Sequence, residues 1–164
     1  MIAPVMSVDA TIVVRRAVAD DAAVLLGLID ALADYEKLTP PDEAAKSRLT
    51  RDIFGGKPRL EAFLAEVDGT AAGYTLIFET YSSFLALPTL YLEDFFVLPA
   101  FRGRKVGASL FQAMVAEART RGCGRMEWSV LDWNQLAIDF YERFGAKHLK
   151  EWKYYRLDCG FASR

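Results

Sequence analysis

A turn rich in glycine and positive charge follows an apolar stretch in the second half of the chain. Residues 90–98 have the aromatic and β-branched content of a strand that stops at Pro99. Residues 105–121 carry apolar side chains at every fourth position, which predicts a helix. Backbone N–H groups and the positive end of the helix dipole meet at such a turn, so an anion such as a pyrophosphate is the predicted occupant. The turn consists of Arg102, Gly103, Arg104, Lys105, Val106, Gly107 and Ala108.

Spacing excludes two other anion-binding motifs. The chain has no Gly-x4-Gly-Lys-Ser/Thr sequence, and this turn lacks the Gly-x-Gly-x-x-Gly spacing that follows the first strand of a dinucleotide-binding unit. By itself the turn is equally compatible with an ordinary basic helix start at the surface.

A second segment has chemistry at helical spacing. Residues 125–131 predict a strand, and a helix is predicted from about 134 to 144, with Gly145 placed to end it. Asn134, Ala137 and Tyr141 share one face of that helix, which suits a ligand running along it. The alternative is that Tyr141 is a half-buried core aromatic and Asn134 an N-cap.

Together these segments resemble the cofactor-binding core of the GNAT acetyltransferase superfamily. Within it they are most similar to the diamine acetyltransferases, meaning the spermidine/spermine and thialysine N-acetyltransferases. The likeness extends from about residue 12 to residue 158. The segments that carry it are Leu32-Ala33-Asp34-Tyr35-Glu36, Tyr91-Leu92-Glu93-Asp94-Phe95-Phe96-Val97, Arg102-Gly103 and Leu131-Asp132-Trp133-Asn134-Gln135 with Phe140-Tyr141.

The resemblance implies a fold, a cosubstrate and an assembly. The fold is an α/β, GNAT-like, mixed and mostly antiparallel central sheet flanked by helices. The cosubstrate is acetyl-CoA, and the assembly is a homodimer. The residues expected to hold acetyl-CoA are the turn 102–108, the strand residues Phe95, Phe96 and Val97, and the helix residues Asn134, Ala137 and Tyr141.

Two residues are candidates for catalysis. An amine with a pKa of about 10 is protonated at pH 7, so acyl transfer to it needs a base. Glu93 is the candidate, with a pKa expected to rise because its strand is apolar; the resemblance implies that it acts through a water. Its alternative role is a structural carboxylate at the sheet edge. N–H groups from Phe95 to Val97 are expected to form an oxyanion hole, and Tyr141 is expected to protonate the leaving thiolate.

The substrate is expected to be a small cation. Tyr35 and Glu36 match positions that contact polyamine in the resembled subfamily. Asp34 and Asp94, with the candidate base Glu93, add negative charge that attracts cations. Acidic residues near a helix end are more commonly just a solvated face. Two other functions stay open: acetylation of a protein amine or an amino-sugar drug, and a non-catalytic acyl-CoA sensor.

One position departs from the superfamily turn. Lys105 stands where the first glycine of that turn is expected, with Gly107 as the second. A side chain makes a positive φ costly, so we expect Lys105 to have a helical φ and the turn to keep its ability to bind the cofactor.

Composition limits the class of protein. The 164 residues, 52% hydrophobic and 26% charged, predict a single globular domain at 11–164 after a loose leader at 1–10. A net charge of −2 disfavours nucleic-acid binding. With one histidine and two isolated cysteines we expect no metal site and a reducing cytoplasmic location. No apolar run is long enough for a membrane span, and no export signal is evident.

The remaining chain predicts the scaffold. We expect a first strand at 11–18, a helix capped by Asp20, a second helix at 42–54 and a hairpin at 60–79 around Asp68-Gly69. The segment 81–88 is expected to be a loop. Two closing strands are expected at 146–150 and 153–158.

Overall fold

The computed structural model describes residues 10–160. The chain divides into two compact units, Met1–Ser129 and Val130–Arg164. The described part of the first unit contains strands β1 (Ile12–Arg16), β2 (Glu61–Val67), β3 (Thr70–Ser82), β4 (Leu87–Val97) and β5 (Arg125–Trp128), and helices α1 (Ala22–Glu36), α2 (Glu43–Phe54) and α3 (Val106–Thr120). The second contains helix α4 (Gln135–Arg143).

The strands form one sheet in the order β1-β2-β3-β4-β5. The first three pairings are antiparallel, and β4 pairs with β5 in parallel. The predicted fold class is therefore confirmed. The hairpin between β2 and β3 turns at Asp68 and Gly69, whose φ angles are 49° and 80°, as the positive-φ hairpin turns require.

Helices cover both faces of the sheet. On one face, Leu25, Leu28 and Ile29 of α1 are buried in a cluster that includes Tyr74 and Phe96 of the sheet. On the other face, the ring of Phe111 in α3 packs edge-on against Phe95, at 5.9 Å between centroids. Phe95 and Phe96 are consecutive in β4, so they point to opposite faces. This alternation decides which β4 side chains face α1.

Three predictions about the scaffold were wrong. The loop at 81–88 is shorter, because β3 runs to Ser82 and β4 starts at Leu87, with Ser82 paired to Leu87. The helix start is fixed by Asp21 and not by Asp20: the Asp21 carboxylate accepts the Val18 N–H at 2.8 Å and binds Arg15. Arg15 of β1 binds Asp21 and not the adjacent Asp20, and this ion pair accounts for the role of Asp21.

The closing strands at 146–150 and 153–158 were also wrong. Residues 144–159 contain no strand. Its backbone makes local hydrogen bonds, from the Lys150 N–H to His148 O and from the Trp152 N–H to Leu149 O. Strand-like composition shows only that residues suit a pleated surface, whereas a strand needs a neighbour that supplies ladder hydrogen bonds.

Among residues 10–160, no helix has the length and apolar character needed to cross a membrane.

Candidate active site

Strand β4 carries a β-bulge at the candidate base. Leu92 pairs with Ile77 and Asp94 pairs with Leu76, so Glu93 is an extra residue opposite the step between Leu76 and Ile77. A bulge bends a strand and redirects its side chains, and bulges are common beside active sites. Glu93 is exposed, so the expectation that apolar residues surround its carboxylate was wrong. The buried environment belongs to its neighbour Asp94.

The bulge lies where the pairing of β4 with β5 ends; beyond it, β4 stays paired with β3. The β4–β5 pairing ends at Leu92 and Trp128. Beyond this point, the N–H of Leu98 donates to Ala72 O on the β3 side. N–H groups alternate in direction along a strand, so those of Phe95 and Val97 point toward the open edge and that of Phe96 points to β3. The expected oxyanion donors are thus reduced to two groups.

The glycine-rich turn forms the N-terminus of α3. The Ser109 N–H makes a helical bond to Lys105 O at 2.9 Å. The N–H groups of Val106, Gly107 and Ala108 therefore have no acceptor inside the helix. Together with the helix dipole, they suit a diphosphate anion.

The expected helical φ of Lys105 was wrong. Lys105 is the N-cap of α3 and has a φ of 65°, in the left-handed region, and Gly103 has a φ of 73°. Two left-handed residues two positions apart reverse the chain before the helix. The turn therefore keeps a glycine-type backbone even though a lysine occupies the position, and the exposed Lys105 side chain adds a cation beside it.

Arg102 connects the turn to the C-terminal end of α1. Its Nε–H donates to Val97 O at 2.9 Å, and its guanidinium carbon lies 4.4 Å from the centroid of the Tyr35 ring and 5.6 Å from that of Phe96. Stacking of this kind stabilises a guanidinium on an aromatic face. The side chain of Arg102 is thus committed to Tyr35 and Val97, whereas those of Arg104 and Lys105 are exposed.

The predicted substrate residues of the first unit lie at the C-terminal end of α1 and on the facing part of β4. Tyr35 and Glu36 form the last turn of α1, which ends at the left-handed Lys37. The Tyr35 ring contacts Phe96 at 5.9 Å. Burial raises the pKa of Glu36, and it raises the pKa of Asp94 to about 6, with the charges of Glu93 and Glu36 adding to the effect. The negative end of the α1 dipole lies at the same place.

Tyr74 was missed by sequence reasoning. This residue of β3 is fully buried, and its O–H donates to Oδ2 of Asp94 at 2.9 Å. Its neighbour Thr75, also fully buried, donates its Oγ1–H to the backbone O of Asp94 at 2.6 Å. The available signal was two consecutive hydroxyl residues inside an otherwise apolar strand, because buried hydroxyls need partners.

The second unit positions the remaining candidates on α4. Asn134 is the N-cap, and its Oδ1 accepts the Ala137 N–H at 3.2 Å. Tyr141 is buried, and its ring lies 5.4 Å from that of Phe140. Gly145, with a φ of 85°, follows the end of the helix as predicted. The capping role of Asn134 uses its side-chain oxygen.

The chain matches known proteins over most of its length. The model of the Acetyltransferase (GNAT) family matches residues 28–146. Thialysine N-epsilon-acetyltransferase of Sus scrofa is 31% identical over 160 residues, covering 91% of this chain and 94% of that protein. Spermidine/spermine N(1)-acetyltransferase-like protein 1 of Homo sapiens is 32% identical over 155 residues, covering 88% of this chain and 22% of that protein.

A solved structure agrees with the fold. Aminoglycoside N-acetyltransferase AAC(6')-Iy in complex with CoA matches with a TM-score of 0.75 at 23% identity, covering 94% of this chain and all of that one (100%).

Proposed function

The chain belongs to the GNAT acetyltransferase family, and we propose that it transfers the acetyl group of acetyl-CoA to a primary amine of a small cationic substrate. The proposed substrate class is a diamine, a polyamine or a lysine-like amine. One observation carries this proposal. Tyr35 and Glu36, at the end of α1, lie near Asp94 of β4, which directly follows Glu93 on the bulge. A carboxylate-rich site of this kind attracts cations over a distance as well as by contact.

We propose that acetyl-CoA binds through the turn at 102–108. The N–H groups of Val106, Gly107 and Ala108 would hold the diphosphate, and the exposed Arg104 and Lys105 would add charge. The backbone of Phe95 and Val97 would bind along the open edge of β4, and Phe96 between them would support this edge from the core, where its ring is buried. On α4, Asn134, Ala137 and Tyr141 are the proposed contacts. When bound, acetyl-CoA supplies the activated acetyl thioester.

The protein groups then have separate roles in a direct transfer within a ternary complex. Glu93, exposed on its bulge, accepts the proton of the ammonium through a water and so frees the lone pair. The N–H groups of Phe95 and Val97 stabilise the charge that builds up on the carbonyl oxygen. Tyr141 donates its phenolic proton to the thiolate as the C–S bond breaks, and the proton that the new amide nitrogen loses restores the phenol through solvent. We further propose a cytoplasmic homodimer without a metal cofactor, for which light scattering gives the oligomeric state.

A panel of amines assayed for CoA release tests the proposal. The panel contains diamines, polyamines, lysine analogues, amino sugars and a lysine-containing peptide, with Glu93→Gln as the control enzyme. We expect the highest kcat/KM with a small di- or polyamine and a large loss in Glu93→Gln. A preference for the peptide or an amino sugar would identify one of the alternative enzymes. If the protein binds acetyl-CoA but no amine in the panel causes CoA release, it would be a sensor.

A further inference from the structure

Asp94 is held by two consecutive residues of the neighbouring strand. The Tyr74 O–H reaches a carboxylate oxygen and the Thr75 O–H reaches the backbone carbonyl, at 2.9 and 2.6 Å. Both donors are fully buried. The Tyr74 ring is enclosed in the α1 cluster and packs edge-on against Phe96 at 6.5 Å between centroids. Because this ring is fixed by packing, its hydroxyl defines where the Asp94 carboxylate lies.

The two hydroxyls are not needed to fill space. Phenylalanine and valine have nearly the same volumes and would avoid burying polar groups, which costs free energy unless they are hydrogen-bonded. Buried hydrogen-bonded groups of this kind lock a neighbouring side chain in one orientation. The residue that they lock follows the bulge at Glu93.

The charges around Asp94 give the Tyr74 hydroxyl a second effect. Three groups face Asp94: Tyr74 on β3, Glu93 on the same strand as Asp94, and Glu36 on α1. Burial and the two carboxylates raise the pKa of Asp94 and the hydrogen bond from Tyr74 lowers it; together these effects leave the pKa at about 6. Donation from Tyr74 therefore keeps Asp94 more ionised near neutral pH than its burial alone would allow. A cationic amine binds the ionised form.

We propose that Tyr74, assisted by Thr75, is a positioning residue that fixes the orientation and the ionisation of Asp94 for binding of the amine substrate. The inference rests on the proposed function, in which Asp94 contacts the substrate. Tyr74 touches neither substrate nor cofactor, so its contribution acts through Asp94 alone. The affinity for amine then depends on pH through a group that Tyr74 controls.

The test is the pH profile of kcat/KM for the best amine, from pH 5 to pH 9 at saturating acetyl-CoA, in the parent and in Tyr74→Phe. A hydrogen bond to a charged group corresponds to about one pKa unit. The ratio of parent to variant kcat/KM should therefore be about tenfold larger at pH 5 than above pH 8, where only the loss of the fixed orientation remains. The loss should lie in KM and not in kcat. A ratio that is the same at every pH would overturn the inference.

Two further variants sharpen the result. Asp94→Asn should remove the acidic limb, and adding Tyr74→Phe to it should change kcat/KM no further; an equal loss in both backgrounds would contradict action through Asp94. Thr89→Val is the matched control, because the Thr89 hydroxyl is buried and, within the described structure, has no hydrogen-bond partner. It deletes a hydroxyl from the same strand as Asp94 and should leave the profile unchanged.

A readout without activity separates this inference from the proposed function. Carbon-13 carboxyl NMR of the parent and Tyr74→Phe reports the pKa of Asp94 directly. A higher pKa in Tyr74→Phe supports the control by Tyr74 even if no amine is acetylated, in which case only the proposed function fails. An unchanged pKa in an enzyme that does acetylate amines overturns the inference alone. If Tyr74→Phe does not fold, replacing tyrosine by 3-fluorotyrosine, a stronger hydrogen-bond donor, must lower the pKa of Asp94 in the same titration, or the inference falls.

Discussion

At the scale of single residues, Tyr141 separates an enzyme from a binding protein. Phenylalanine at this position keeps the ring and its contact with Phe140 but removes the O–H that would protonate the thiolate. We expect kcat to fall by on the order of 10²-fold or more, with acetyl-CoA affinity and melting temperature little changed. The loss should shrink with a more acidic leaving thiol. A large drop in melting temperature with normal turnover would make Tyr141 a structural core residue.

Asp94 gives stability a predictable dependence on pH. Its pKa is about 6 in the folded chain and about 3.9 when unfolded. The folded state therefore binds more protons between these values, and stability falls as pH rises from about 4 to 6. Asn keeps an acceptor for Tyr74 but carries no charge, so Asp94→Asn should raise the free energy of unfolding at pH 7.5 by about 3 kcal/mol.

Urea unfolding at pH 4 and pH 7.5 measures this difference. The gain should shrink to less than about 1 kcal/mol at pH 4, where Asp94 is protonated in the folded state and about half protonated in the unfolded state. An equal change at both pH values would mean that the side chain acts through packing and not through its charge.

The residues also show how far sequence reasoning reached. Glu36 and Asp94 were predicted as neighbours of the substrate because their types and positions matched a family pattern, and the structure brings them together. We expected the carboxylate of Glu93 to be buried, but the buried carboxylate is that of Asp94. The bulge shifts the alternation of the strand by one residue. A bulge has no sequence signal here, since its position depends on how the partner strand pairs.

At the scale of elements, the start of α3 carries two predictions. Gly107→Asp would place a negative side chain in the first turn of α3, against the proposed diphosphate site. Calorimetry should show a strong rise in the acetyl-CoA dissociation constant, because like charges repel. Gly107→Ala, which adds only a methyl group, is the control for size. Unchanged affinity in the aspartate variant would place the diphosphate elsewhere.

Lys105 tests the backbone of the same turn. Its φ of 65° costs roughly 1 kcal/mol for a residue with a Cβ, so Lys105→Gly should raise the free energy of unfolding by up to about 1 kcal/mol, less the entropy of a glycine in the unfolded chain. Lys105→Ala keeps the Cβ and should show no gain. Equal stability of the two variants in chemical denaturation would refute the strain.

The elements themselves were largely predictable. Apolar periodicity gave the helices, and the Asp68-Gly69 turn located the hairpin, because these are local signals. Local signals could not predict the structure of the segment 146–158, because strand formation there depends on a partner strand that composition does not reveal.

At the scale of the whole molecule, ion pairs tie the sheet to helix α3. Arg121, at the end of α3, binds Glu61 of β2 at 2.8 Å, Glu117 of its own helix at 2.6 Å and Glu79 of β3 at 3.3 Å. The guanidinium is largely buried and fully used by these carboxylates, so its role is structural. Within residues 10–160, the carboxylates of Glu36, Glu93 and Asp94 take part in no ion pair. Under the proposed function, their charge is therefore available to a cationic substrate.

The most direct test of the central claim compares a diamine with a monoamine of the same chain length as acetyl acceptors. Both present an identical primary amine, and only the diamine carries a second positive charge for the carboxylates. We expect kcat/KM to be at least about tenfold higher for the diamine than for the monoamine at low salt, and this ratio to narrow as ionic strength screens the charges. Equal kcat/KM values for the two amines at all salt concentrations would contradict a site built for cationic substrates.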